Sequence, residues 1–179
     1  LRFVGRVAVA RLLIYSYLAP GSVLFIPLFM MMVKLKLTNS LQGLTLAYLT
    51  FTVPFATWML MGYLRSIPME LEEAALVDGA TRWTALWRIV LPLAAPAIVV
   101  VAVFSFTLSW NEFLYALVLN QKQTVLTAPV GLAALQVGDT FYWGEMMAAA
   151  SFMSIPPLLL YFFGQRWVVA GWTVGAVKG

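Results

Sequence analysis

Leu93-Ala-Ala-Pro-Ala-Ile-Val-Val-Val-Ala-Val-Phe-Ser-Phe-Thr-Leu-Ser-Trp110 contains no charged side chain. A helix rises about 1.5 Å per residue, so roughly 20 apolar residues cross a hydrocarbon core about 30 Å thick. This run continues to Asn120 with Glu112 as its only charge. Leu12–Val33, Leu41–Leu64 and Met146–Gln165 repeat the pattern without any charge. Lipid offers no partner to an unpaired backbone N–H, so each stretch reads as a helix. Expected spans cover about 8–33, 41–64, 93–120 and 143–166. The fold class is therefore an all-α, polytopic transmembrane helical bundle forming one domain over residues 1–179.

Composition agrees. Of 179 residues, 63% are hydrophobic and 10% charged, against about 25% charged in soluble domains. The net charge of +4 reads as cations held on one membrane face, not as a nucleic-acid footprint. Four spans put both ends on the same side. Arg2, Arg6, Arg11, Arg65, Arg82, Arg88, Arg166 and Lys178 then share one side, and Lys34, Lys36 and Lys122 the other. The cation excess marks the first side, and both ends, as cytoplasmic. Phe141-Tyr142-Trp143 falls where an outer interfacial belt belongs. Pro20, Pro27, Pro54, Pro96, Pro156 and Pro157 interrupt the spans, either as ordinary kinks or as hinges of a moving pathway.

The chain has no Cys and no His. That removes disulfides, Cys/His zinc sites, cysteine nucleophiles and histidine acid–base chemistry; no metal site and no catalytic residue are expected. An intramembrane hydrolase or transferase would need such groups or paired carboxylates, and Glu112 stands alone. A GxxxxGK[ST] phosphate loop is also missing, so this chain does not bind nucleotide through one. The first residue is Leu1, and the apolar run behind it is too long for a secretory signal; a missing N-terminal portion is the expectation.

The polar stretch 65–92 carries the functional signal. Ser66 reads as a cap and Pro68 as a first-turn residue of a short helix, with Glu70, Glu72 and Glu73 near its positive end. Gly79 suits a left-handed stop. Thr81 caps a second helix, Arg82–Val90, which Leu91-Pro92 ends. Two short helices with small exposed residues fit a plug for a partner's groove or an amphipathic loop lying on the membrane surface.

The spacing Glu73-Ala74-Ala75, three residues, Gly79, nine residues, Ile89, one residue, Leu91-Pro92 matches the EAA motif, EAA-x3-G-x9-I-x-LP. The chain thereby resembles the permease subunits of bacterial ABC importers. Pro68–Thr81, Trp110-Asn111-Glu112-Phe113, Trp143-Gly144-Glu145 and the tail from Gln165-Arg166-Trp167 to Gly175-Ala176-Val177-Lys178-Gly179 are similar to the carbohydrate branch, the maltose permease G type. Such permeases usually have six spans, so the resemblance implies a type I permease fold lacking its first two spans.

The resemblance further implies a multi-pass inner-membrane protein that moves a sugar or oligosaccharide. A second permease subunit, two separate ABC ATPase subunits binding ATP and Mg, and an extracytoplasmic solute-binding protein would be its partners. A non-sugar solute such as glycerol phosphate, or a non-transporting assembly subunit, are the alternatives. Glu73, Ala74, Ala75, Asp78, Gly79, Ile89, Leu91 and Pro92 would form the ATPase-docking segment. Asn111 and Glu112 would belong to the pathway or gate, or Glu112 would pair with a neighbouring subunit or face water. Lys178 and Gly179 would contact the ATPase, or end in a disordered tail.

Overall fold

The computed structural model describes residues 5–17, 21–138 and 140–176. Among them run α1 (Arg6–Tyr17), α2 (Gly21–Lys34), α3 (Leu41–Leu64), α4 (Met69–Val77) and α5 (Arg82–Ala85). A π-turn (Leu86–Val90) joins α5 to α6 (Leu91–Trp110), followed by α7 (Leu114–Leu119), a 3-10 turn (Gln123–Val125) and α8 (Ala128–Ala133). Strands β1 (Gln136–Val137) and β2 (Thr140–Phe141) pair antiparallel before α9 (Trp143–Ala176). The helical bundle expected from hydropathy is present, with this two-residue ladder as its one β feature among the described residues.

Among the described residues, three helices are long and apolar enough to cross a membrane: Leu41–Leu64, Arg82–Trp110 and Trp143–Trp167. Within the expected first span, α1 and α2 cover 12 and 14 residues, and residues 18–20 between them lie outside the described ones. The two helices pack differently, α1 on α3 and α2 mainly on α7.

The centre of the bundle is α6, packed against α3 on one side and α9 on the other. Its buried Ala94, Ala97, Val100, Val101 and Val103 present a smooth surface. In α9, a Cβ on Gly164 would come within 3.0 Å of Val103 Cγ2. Small residues at such contacts let helices approach where lipid supplies no hydrophobic drive. Outward-facing Phe152, Leu158, Phe162 and Phe163 of α9 are strongly exposed, as suits a surface solvated by lipid.

Proline explains one inter-helix bond. Pro157 has no N–H, so the Met153 carbonyl four residues back loses its helical partner. The Trp110 indole at the end of α6 donates to that carbonyl at 3.0 Å. A second core gathers Leu28, Met32, Leu44, Ala47, Tyr115, Ala116, Leu119 and Val130 at the opposite end of α3 from the 65–92 loop.

The stretch 93–120 is not one helix. It breaks after Trp110, and α7 restarts at Leu114. The Glu112 carboxylate accepts the Tyr115 N–H at 2.8 Å and the Ala116 N–H at 3.0 Å. A charge within an apolar run thus caps a new helix start, where its sign complements the helix dipole.

Candidate coupling site

Segment 65–92 folds as one short helix, a bend and the first turns of a longer helix. The short helix begins later than the sequence suggested. Pro68 is the N-cap of α4, without a side-chain cap bond. The Ser66 hydroxyl donates instead to Tyr63 O at 2.7 Å, closing the end of α3. The residue before a proline is disfavoured in helical conformation, so Ile67 keeps the helix from starting earlier.

At its other end α4 stops where expected. Gly79 has φ +86°. The Gly79 N–H donates to Leu76 O at 3.2 Å and the Ala80 N–H to Ala75 O at 2.9 Å. These two bonds are the Schellman pair, and they reuse carbonyls that the helix end leaves free. Thr81 then caps α5, its Oγ1 accepting the Thr84 N–H at 3.2 Å.

The second helix does not end at Leu91-Pro92; Arg82–Trp110 is one continuous helix of 29 residues. Pro92 cannot donate to Arg88 O, and its ring crowds that carbonyl. The backbone takes the wider π register, with the Leu91 N–H donating to Leu86 O. Such π-turns are frequent at functional sites.

Burial divides the motif into an outer and an inner set. Glu73 and Ala74 are exposed, and Val77 is 87% exposed. With Glu70 they recur at three- and four-residue steps and so share one face of α4. Ala75 is buried at 8%, as is Ala85 at 1%, where α4 packs on α5 and the π-turn. Ile89 lines a cleft of about 330 Å³ with Leu64, Ile67, Pro68, Met69 and Leu86. Asp78 caps the C-terminus of α4 and is exposed; Leu91 is half-buried and Pro92 exposed. Of the eight motif residues, Glu73, Ala74 and Asp78 therefore face outward from α4. Ala75, Gly79 and Ile89 set the angle between the helices.

Asn111 and Glu112 are neighbours in sequence but not in role. Asn111 lines a cavity of about 420 Å³ with Trp110, Leu132, Met153 and Ser154. Glu112 turns to α7, where its carboxylate holds the Tyr115 and Ala116 N–H groups. Lys178 and Gly179 lie outside the described residues, although α9 remains helical to Ala176.

One organising residue escaped the sequence reading. Asn39, at φ 53°, donates its N–H to Leu119 O at 2.8 Å. Its Oδ1 accepts the Gln121 N–H at 2.8 Å and the Lys122 N–H at 3.0 Å. The clasp joins the turn after Lys34 and Lys36 to the one at Lys122, the two loops that charge counting put on one side. The local hint is Thr38-Asn39-Ser40, since Asn tolerates the left-handed region.

Residues 2–174 match the family of binding-protein-dependent transport system inner membrane components. The chain belongs to that family. Among relatives of this inner membrane component is the diacetylchitobiose uptake system permease protein of Streptomyces coelicolor, 39% identical over the whole chain. The trehalose/maltose transport system permease protein of Thermococcus litoralis is 36% identical over the whole chain. The arabinooligosaccharides transport system permease protein of Halalkalibacterium halodurans is 35% identical over 99% of it. The chain spans 65%, 65% and 63% of these relatives' lengths.

Proposed function

We propose that this inner membrane component conducts a sugar or oligosaccharide and is driven by a separate ATPase docked on α4. The observation that carries the reading is the outward Glu73–Ala74–Val77 face, set by the Gly79 stop and packed on the first turns of the continuous helix Arg82–Trp110. A rigid connection lets a partner's movement reach the membrane. Glu73 supplies a charge for the partner, Ala74 permits close approach, and Val77 supplies apolar contact.

The sugar reading is supported by relatives whose names specify diacetylchitobiose, trehalose or maltose, and arabinooligosaccharides. An extracytoplasmic binding protein would deliver the solute, a second permease subunit would complete the pathway, and two ATPase subunits would bind ATP and Mg. The charge distribution supports placing the 65–92 loop and both ends in the cytoplasm. Within this scheme Glu112 positions α7, and Asn111 is the pathway-side candidate.

The test is reconstitution of the complete transporter in vesicles with its binding protein. Glu73→Lys is expected to abolish ATP-driven uptake while the chain still inserts. Normal uptake by that variant would refute docking through α4. Thermal-shift screening of the binding protein against mono- and oligosaccharides tests the solute class; stabilisation by none of them, and by glycerol phosphate instead, would overturn it.

A further inference from the structure

Trp83 and Trp87 lie four residues apart on the stretch between the bend and α6, and they are 64% and 66% exposed. Their side of the helix is not the one used by α4. Leu86, Ile89 and Val90 line the cleft shared with Met69 and Leu71 of α4, and Ala85 is buried. Arg82 lines that cleft as well, with Glu72 of α4, while Arg88 is exposed on the same stretch and Arg65 at the end of α3.

Length locates this stretch. Leu91–Trp110 has 20 residues, about 30 Å of helix, which matches the hydrocarbon core. The whole helix has 29 residues, about 44 Å. The extra turns Arg82–Val90 must project into the headgroup layer, since hydrocarbon plus headgroups measures about 40–45 Å. Tyr63 marks the same level, its hydroxyl donating to Leu93 O at 3.3 Å. Indole rings with an apolar body and a polar N–H partition to that layer, and arginine there meets lipid phosphate.

We infer that Trp83 and Trp87 seat the start of the spanning helix in the bilayer interface, with Arg88 paired to anionic lipid headgroups. The loop then has two faces with separate partners. The Glu73–Val77 face of α4 is left to protein, and the tryptophan face of the following turns rests on lipid. Seating both indoles fixes the depth and rotation at which the π-turn enters the membrane.

Photo-crosslinking of the complete transporter tests this. Trp83 and Trp87 are each replaced by benzoylphenylalanine, an aromatic of similar bulk that these exposed positions accommodate. The reconstitution uses vesicles of phosphatidylcholine and phosphatidylglycerol. The expected products are lipid adducts at both positions and, from the same group at Val77, an adduct to the ATPase subunit. ATPase adducts at 83 and 87 would overturn the inference and assign this face to protein. The charge part is read separately. Arg88→Gln is expected to lower the ratio of phosphatidylglycerol to phosphatidylcholine adducts at position 87 about fivefold, the equivalent of one surface charge. An unchanged ratio in that variant would overturn the pairing with headgroups.

Discussion

The two ends of α6 meet the same physical problem and answer it differently. At the Leu91 end, Pro92 removes a hydrogen-bond donor, and the backbone widens into a π-turn that keeps the helix continuous from Arg82. At the Trp110 end, the helix stops, and the Glu112 carboxylate starts α7 afresh through two short bonds. The first solution makes one continuous rod, which on the proposed coupling transmits a rotation or a push. The second fixes a new direction with a charge. A single spanning helix thus carries a transmitting end and an anchoring end, and the difference lies in whether the orphaned groups are absorbed by register or by a cap.

The largest effect is expected where the transmitting end receives its input. Gly79→Pro demands φ near −65° where the chain has +86°, and it deletes the N–H that donates to Leu76 O. At a cost of about 3 kcal/mol, ATP-driven uptake in vesicles should fall roughly a hundredfold or more, with membrane insertion unaltered. Uptake within a factor of about three of the parent would break the assignment of this end to transmission.

Next in size is the anchoring end. Glu112→Leu removes two charge-assisted bonds, each worth about 1.5–3 kcal/mol. Denaturant unfolding in detergent should show a loss of at least about 3 kcal/mol. Glu112→Gln, which keeps a single carbonyl acceptor, should retain part of it. A loss no greater than that of the exposed Glu70→Gln would show that the carboxylate is not what starts α7.

A smaller loss, about 1–2 kcal/mol, is expected for Trp110→Phe. This change keeps the ring but leaves the Met153 carbonyl without a donor. Introducing Pro157→Ala in the same chain supplies that donor from the helix itself and should recover most of the loss. Additive losses in the double-mutant cycle would sever the link between the indole and the proline. Smallest in stability is Pro92→Ala, expected to gain about 0.5–1 kcal/mol by restoring a bond to Arg88 O. The same variant should lower uptake severalfold, because an α register would rotate Arg82–Val90 relative to α6. Unchanged uptake would mean that the π register has no part in transmission.

Which of these features were legible in the sequence follows from what each one depends on. Three spans and the loop were readable because apolar length and the spacing from Glu73 to Pro92 are local properties. The stop at Gly79 and the cap at Thr81 were readable for the same reason. Hydropathy reports partitioning into lipid, not continuity of a helix, so it joined Leu93–Trp110 to Leu114–Leu119 across the break. Ser66 was misplaced because a serine two residues before a proline suits a helix end as well as a start. Leu91-Pro92 was misread as a stop because the π register that tolerates Pro92 has no signature in composition. The Asn39 clasp joins residues 82 and 83 positions apart, and no local pattern encodes such a pairing. Within the EAA motif, the spacing of every residue is a local property of the sequence. The division between outward Glu73 and Ala74 and inward Ala75 and Ile89 required the packing of α4 on the next helix.

The Asn39 clasp has a mechanical consequence. Three bonds from one asparagine tie the turn between α2 and α3 to the end of α7, over a core shared by all three helices. Parts joined this way lose their separate degrees of freedom and rock as one lever. On the coupling proposed above, a swing that begins at α4 would be taken up at joints free of the clasp, the π-turn before Pro92 and the proline pair in α9, with α6 as the connecting shaft.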